Sequence, residues 1–412
     1  MSLSQTTAAP HRLTLILVLG ALVALGPFTI DMYLPALPTI ADDLGAAPSI
    51  AQLTLTGTLI GLAVGQLVIG PLSDSIGRRL PLLAGAALHV VASVLCAVAP
   101  SIAVLGGLRV LQGIGAAAGA VVAMAIVRDL HSGRAAATLM SRLILVLGVS
   151  PVLAPTLGGE LLRLTSWRGV FVALAVYALV LIPLTYYLLP ESLPVARRRT
   201  LSAGAVLRTY RDLLHDRVFV GLVLVAGLTM SATFSYIAGS SFVFQQQFGL
   251  DEQQYGLLFG ASAVFLIGAT QLNAWLLGRV EPRRLLTISI AAGAAFAAVL
   301  LGAALSGAGF AGIVLPLWGT VFFIGLALPN APALALSRHG EAAGTAAALL
   351  GAAQFGVGAA VAPLIGLLGN NAVAMGGAMM VGLLAAMTLL VTVVRPWELA
   401  DMEADEPVLE AV

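Results

Sequence analysis

Apolar runs long enough to cross a bilayer recur along the whole chain, broken by short stretches of charge, Gly or Pro. Cutting at those breaks puts the runs at 12–35, 49–71, 80–99, 102–127, 136–161, 168–189, 218–247, 255–278, 285–305, 310–336, 343–367 and 372–394. About 20 apolar residues in a helix cross the hydrocarbon core, so the pattern predicts an all-α membrane protein with twelve transmembrane helices. The first run, of 22 or 23 residues, exceeds the ~7–15 residues of a signal-peptide core and is read as a retained span. It can extend past Pro35 and Pro38 toward Ala41. The longest break, 190–217, is rich in Arg and splits the runs six plus six. The expected organisation is an N-terminal six-helix bundle at 1–189, a cytoplasmic linker at 190–217, a C-terminal bundle at 218–397 and an acidic tail at 398–412.

The two halves echo each other at a spacing of about 205 residues. Gly77-Arg78-Arg79, after the second run, has a counterpart in Arg283-Arg284 after the eighth. Ser132-Gly133-Arg134 before the fifth run recurs loosely as His339-Gly340-Glu341 before the eleventh. Parallel repeats of this kind put a substrate site at the interface of the halves, near the bilayer midplane.

Composition removes other classes. Of 412 residues, 59% are hydrophobic and 9% charged, against about 25% charged in soluble domains. A net charge of +1 argues against a nucleic-acid binder. Cys96 is the lone cysteine, so no intrachain disulfide forms. All 20 basic residues are Arg. With the N-terminus inside, 17 face the cytoplasm, Arg163 and Arg168 face out, and Arg109 lies within a span. That asymmetry predicts cytoplasmic termini. No zinc spacing, phosphate loop or Ser-His-Asp order occurs, so neither enzyme chemistry, metal nor cofactor is expected.

Two charges within spans carry the candidate chemistry. Leu13 to Ile30 is uncharged and Asp31 follows directly. A charge at membrane depth costs roughly 2.5–3.5 kcal/mol on insertion scales, so Asp31 needs a proton, a partner or water. Arg109, about two turns into the fourth run from its outer end, lies at comparable depth. It either serves proton transfer with Asp31 or hydrogen-bonds broken backbone near Pro27 or Pro35. Tyr33, Phe234, Tyr236 and Phe242 offer apolar faces and two hydroxyls to an amphipathic ligand, or they pack the interface. Asn273 and Gln354 line a cavity or hydrogen-bond between helices. His89, mid-span in the third run, is read as a packed neutral ring.

Three stretches have the spacing of known motifs. Gly70-Pro71-Leu72-Ser73-Asp74-Ser75-Ile76-Gly77-Arg78-Arg79 resembles motif A of the major facilitator superfamily. Leu108-Arg109-Val110-Leu111-Gln112-Gly113 resembles its motif B. Ser150-Pro151-Val152-Leu153-Ala154-Pro155-Thr156-Leu157-Gly158-Gly159 is similar to the antiporter motif C, with Ser150 and Ala154 in place of two glycines. Asp31-Met32-Tyr33-Leu34-Pro35, Phe234 to Val243, Tyr255 to Gly260 and Pro329 to Leu336 resemble the Bcr/CflA drug-resistance branch.

The resemblance implies a monomeric proton-coupled antiporter exporting small amphipathic drugs, such as chloramphenicol- or bicyclomycin-like compounds. Asp31 and Arg109 would couple to protons. Asp31, Tyr33, Phe234, Tyr236, Phe242, Asn273 and Gln354 would bind substrate. Gly70, Asp74, Gly77, Arg78 and Arg79, which latch the bundles on the inner face in the family, would gate with Pro151, Pro155, Gly158 and Gly159. The closest alternative is a metabolite exporter or symporter of the same fold. A membrane enzyme or receptor explains neither the missing reactive cluster nor the six-plus-six repeat.

Overall fold

The computed structural model describes residues 12–131, 133–198, 203–339 and 342–398. Residues 1–11, Ser132 and Gly340-Glu341 of the repeat, Arg199 of the linker and the tail beyond 398 lie outside them. Among the described residues every regular element is helical, and twelve spans are long and apolar enough to cross a membrane.

The first span is α1 (Arg12–Asp31), a 3₁₀ turn (Leu34–Ala36) and α2 (Leu37–Asp43). Spans two to six are α3 (Pro48–Ile76), α4 (Arg79–Ala97), α5 (Ile102–Leu130), α6 (Gly133–Leu162) and α7 (Trp167–Leu188). The connection expected as a plain linker contains a helix, α8 (Ala203–His215), tied to α3 where Tyr210 Oη donates to the Leu67 carbonyl, 3.3 Å. The second half holds α9 (Arg217–Phe242), α10 (Glu252–Leu276), α11 (Pro282–Leu305), α12 (Phe310–Ala327) with α13 (Asn330–Ser337), α14 (Ala343–Leu367) and α15 (Ala372–Leu389).

Proline explains where the first span breaks. Pro35 has no N–H to give the Asp31 carbonyl and Pro38 none for Leu34, so α1 stops at Asp31. The span resumes as α2 and ends at Asp43, slightly beyond the expected Ala41. Such interruptions at membrane depth are tolerated where other protein groups satisfy the freed carbonyls.

Spans one to six pack chiefly through α3 on α5, α4 on α5 and α7, and α1 on α6. Spans seven to twelve pack through α9 on α14 and α15, α11 on α12 and α15, and α10 on α12. The most extensive contacts between these six-helix bundles are α3 with α14 and α6 with α10, with smaller ones from the broken first span to α9 and α10. The outer faces stay apolar: Val172, Val176 and Leu179 form an exposed stripe along α7, which only lipid can solvate favourably.

Candidate functional site

Because α1 stops at Asp31, its last carboxylate is held at the wall between the bundles. A cavity of about 250 Å³ lies there. α1 supplies Pro27, Ile30 and Asp31, α9 supplies Thr233, Phe234 and Tyr236, and α10 supplies Phe259 and Ser262. Gln66, Pro151 and Phe355 close other sides. Tyr236 stacks on Phe259 with centroids 5.0 Å apart and an interplanar angle of 15°. Phe234 lies 6.2 Å from Phe355. Asp31 is 4% exposed, and its Oδ1 has no hydrogen-bond partner. An apolar chamber with one uncompensated carboxylate is a place where a proton, or a ligand in its stead, changes the local charge balance.

Arg109 is fully buried but does not ion-pair with Asp31. Its Nη2 donates to the Thr29 carbonyl, 2.9 Å, and its Nη1 to Gln112 Oε1, 2.6 Å. The guanidinium carbon sits 3.9 Å from the centre of the Tyr33 ring. Thr29 is four residues before Tyr33, so its carbonyl is among those left open where α1 ends. Of the two roles open in the sequence, backbone support is the one this conformation displays.

The support continues into α4. Thr29 Oγ1 donates to the Leu25 carbonyl, 2.6 Å, leaving its lone pair for His89 Nε2 at 2.8 Å. Ser93 Oγ, 3.2 Å from His89 Nδ1, accepts from Gln112 Nε2 at 2.8 Å. Arg109, Gln112, Ser93, His89 and Thr29 thus form one buried polar chain behind the end of α1.

Of the aromatic residues expected to bind substrate, Phe234 and Tyr236 line the cavity. Tyr33 does not: the chain turns after Asp31 and lays its ring beneath Arg109, fully buried. Phe242 lies six residues beyond Tyr236 on another face of α9 and is core. Asn273 accepts from Asn330 Nδ2, 2.9 Å, tying α10 to α13. Gln354 is half-buried beside Phe355, about 100° round α14 from the face that lines the cavity. Gln66, Thr233, Ser262, Phe259 and Phe355 were not anticipated. Only the hydroxyl run Ser231, Thr233, Ser235 hinted at any of them.

One end of the molecule is sealed across the bundles. Ser241 Oγ donates to the Leu34 carbonyl, 2.7 Å, which Pro38 leaves free, and Gln245 Nε2 to that of Pro35, 3.0 Å. Gln52 Nε2 donates to the Ala238 carbonyl, 2.9 Å. Here α6 and α10 approach backbone to backbone: a Cβ on Gly159 would lie 2.5 Å from the Glu252 carbonyl oxygen, and one on Gly158 would overlap that of Met32. Pro155 presents its carbonyl to Gly256 in the same seam.

Gly159→Val is therefore expected to pry this end open. Overpacking of this kind costs about 1–3 kcal/mol, a shift of roughly five- to 150-fold against the sealed conformation. Spin-label distances between the sealed ends of α6 and α10 would lengthen, and an unchanged distribution would contradict the assignment.

The opposite end carries a second cavity of about 280 Å³, lined by Gly70, Asp74, Arg78, Arg128 and Thr345 and sharing Gln66 and Ala120 with the first. Arg78 is buried and donates to Asp74 Oδ1 at 2.5 Å and Asp129 Oδ2 at 2.8 Å. Glu191 accepts from the backbone N–H groups of Arg78 and Arg79 at 2.8 and 3.2 Å. Arg79 caps the Tyr186 carbonyl. Gly77 adopts φ +101°, with Glu191 where a Cβ would stand. Among the described residues, no hydrogen bond or ion pair joins the 70–79 stretch to spans seven to twelve. In this conformation the expected latch is closed upon its own bundle and the start of the linker.

The Major Facilitator Superfamily profile matches residues 17–363. The MFS-type transporter YdgK of Bacillus subtilis is 38% identical over 90% of this chain and 93% of its own. A bicyclomycin resistance protein homolog of Haemophilus influenzae is 31% identical over 85% and 88%. The multidrug resistance protein MdtL of Escherichia coli is 32% identical over 65% and 68%. Among solved structures, a D-xylose-proton symporter superposes with a TM-score of 0.70 at 20% identity, covering 95% of this chain and 98% of the other. The partially occluded inward-open xylose transporter XylE from E. coli gives 0.72 at 18% identity, with 92% and 97% covered.

Proposed function

Because the chain belongs to the major facilitator superfamily, we propose that it is a proton-coupled antiporter exporting small amphipathic drugs. It is a transporter rather than an enzyme, and a multi-pass protein of the bacterial inner membrane.

The observation that carries the reading is Asp31, a buried carboxylate with an unpartnered oxygen in an aromatic-walled cavity between the bundles. Withdrawing a carboxylate from water favours its neutral form, whereas a nearby cation or hydrogen-bond donors favour the charged form. A drug whose polar edge donates to Asp31 therefore competes with the proton, and alternating access turns that competition into exchange. The lining supports lipophilic cargo over a sugar, since aromatic and aliphatic side chains dominate it and Ser262 already bonds Trp318 and the Leu258 carbonyl. The names of the bicyclomycin and MdtL relatives point the same way. Arginine placement favours a cytoplasmic Asp74 end, and in that orientation the described conformation would receive drug from inside.

The test is expression in a pump-deficient bacterium, scanning resistance to phenicols, bicyclomycin, dyes and quinolones with and without an uncoupler. Raised resistance that the uncoupler removes is expected. Unchanged sensitivity to every compound would overturn drug export in favour of a dedicated metabolite.

A further inference from the structure

The hydroxyls of α9 between Thr229 and Tyr236 divide into two groups. Thr229 Oγ1 donates to the Val225 carbonyl at 2.8 Å, Ser231 Oγ to Leu228 at 2.6 Å and Ser235 Oγ to Ser231 at 2.8 Å. Returning a hydroxyl to the preceding turn is the ordinary solution for Ser and Thr inside an apolar helix. Thr233 departs from it. Its Oγ1 is buried without a hydrogen-bond partner and its side chain lines the central cavity. One helical turn on, the Tyr236 hydroxyl is likewise buried, unpartnered and in the same wall, and Tyr236 is 4% exposed.

Residues three apart share a helix face, so these two hydroxyls form one polar edge on α9. Asp31 Oδ1, also unpartnered, belongs to the same cavity from α1. Buried polar atoms are nearly always satisfied, and a cluster of them facing a cavity offers hydrogen bonds to whatever occupies it. Ser262, the other hydroxyl of the lining, donates to the Leu258 carbonyl and accepts from Trp318, which leaves one lone pair beside the Tyr236 hydroxyl.

We infer that Thr233 is a specificity-determining residue, which with Tyr236 binds the primary-hydroxyl-bearing edge of a neutral amphipathic substrate whose ring lies against Phe234, Phe259 and Phe355. The inference rests on the drug-export reading and narrows it: molecules with a polar edge beside a flat ring are favoured over purely apolar ones. A site built to hydrogen-bond such an edge discriminates against the analogue lacking it.

The probe is a matched pair of phenicols, thiamphenicol and florfenicol, which differ only in a primary hydroxyl replaced by fluorine. Export specificity (kcat/KM) for each is measured in everted membrane vesicles. Thr233→Val removes the hydroxyl at nearly constant shape and is expected to lower the thiamphenicol-to-florfenicol ratio about five- to tenfold, the scale of one hydrogen bond. Thr233→Ser should restore most of that ratio, and Tyr236→Phe should lower it in the same direction. Equal loss for both compounds in Thr233→Val would assign Thr233 to packing and overturn the inference, as would an unchanged ratio. Wild-type export of dyes or quinolones but of neither phenicol would overturn the substrate class alone. Export of no compound at all would instead overturn the drug-export reading.

Discussion

Asp31→Asn is expected to abolish proton-driven export while the protein still inserts and folds. Asn is close to isosteric with the neutral acid, and Asp31 Oδ1 makes no hydrogen bond to lose, so the fold has little to forfeit. The exchange loses everything, because an amide cannot release a proton. One proton falling through about 100 mV gives roughly 2.3 kcal/mol, and one pH unit adds about 1.4 kcal/mol. For a neutral drug and one proton, these cap accumulation near 500-fold, and the Asn variant should reach no gradient at all. Asp31→Glu keeps the acid and should be milder. Wild-type export rates from Asp31→Asn vesicles under a pH gradient would sink this assignment.

Arg109→Ala should be as damaging to export, by a different route. Its guanidinium holds the Thr29 carbonyl and Gln112 Oε1 and lies over the Tyr33 ring, all in a fully buried place. Truncation strands both acceptors, at about 1–3 kcal/mol each, and frees the end of α1 that positions Asp31. Unlike Asp31→Asn, this variant should also unfold at lower temperature in detergent. Arg109→Lys should rescue poorly, since one ammonium on a flexible stem does not reproduce a planar fork held by two partners and a ring. Export by Arg109→Ala at more than half the wild-type rate would remove Arg109 from the account.

The difference between these two residues marks how much the sequence could reveal. Twelve spans were legible because lipid demands unbroken apolar runs, and the first was expected to run on past Pro35 and Pro38, as it does after a break at Asp31. Asp31 stood out because a charge at membrane depth is costly whatever surrounds it. Depth, however, is read along a helix and direction around it. Asp31 and Arg109 share a depth, yet one faces the cavity and the other the polar chain through Gln112, Ser93 and His89. In a soluble helix the polar face reveals rotation. Here the faces toward lipid and toward protein are both apolar, so the pattern has no phase.

For that reason the sequence left Tyr33, Phe242, Asn273 and Gln354 between the cavity and the packing of the helices, and Gln66, Thr233 and Phe355 were passed over. Helix α8 escaped notice for another: its arginines looked like a charged connection, while Leu213 is buried. The carboxylate Glu191, which caps the start of α4, is 112 residues from Arg79 in sequence, and no local motif announces so distant a partner.

The central claim, that drug and proton compete at Asp31, is tested most directly by proton release from purified protein in weakly buffered detergent solution. Adding an exported neutral drug to the wild type should release close to one proton per drug bound, and adding it to Asp31→Asn should release none although the drug still binds. Drug binding to the wild type without proton release, or equal release from both proteins, would contradict it.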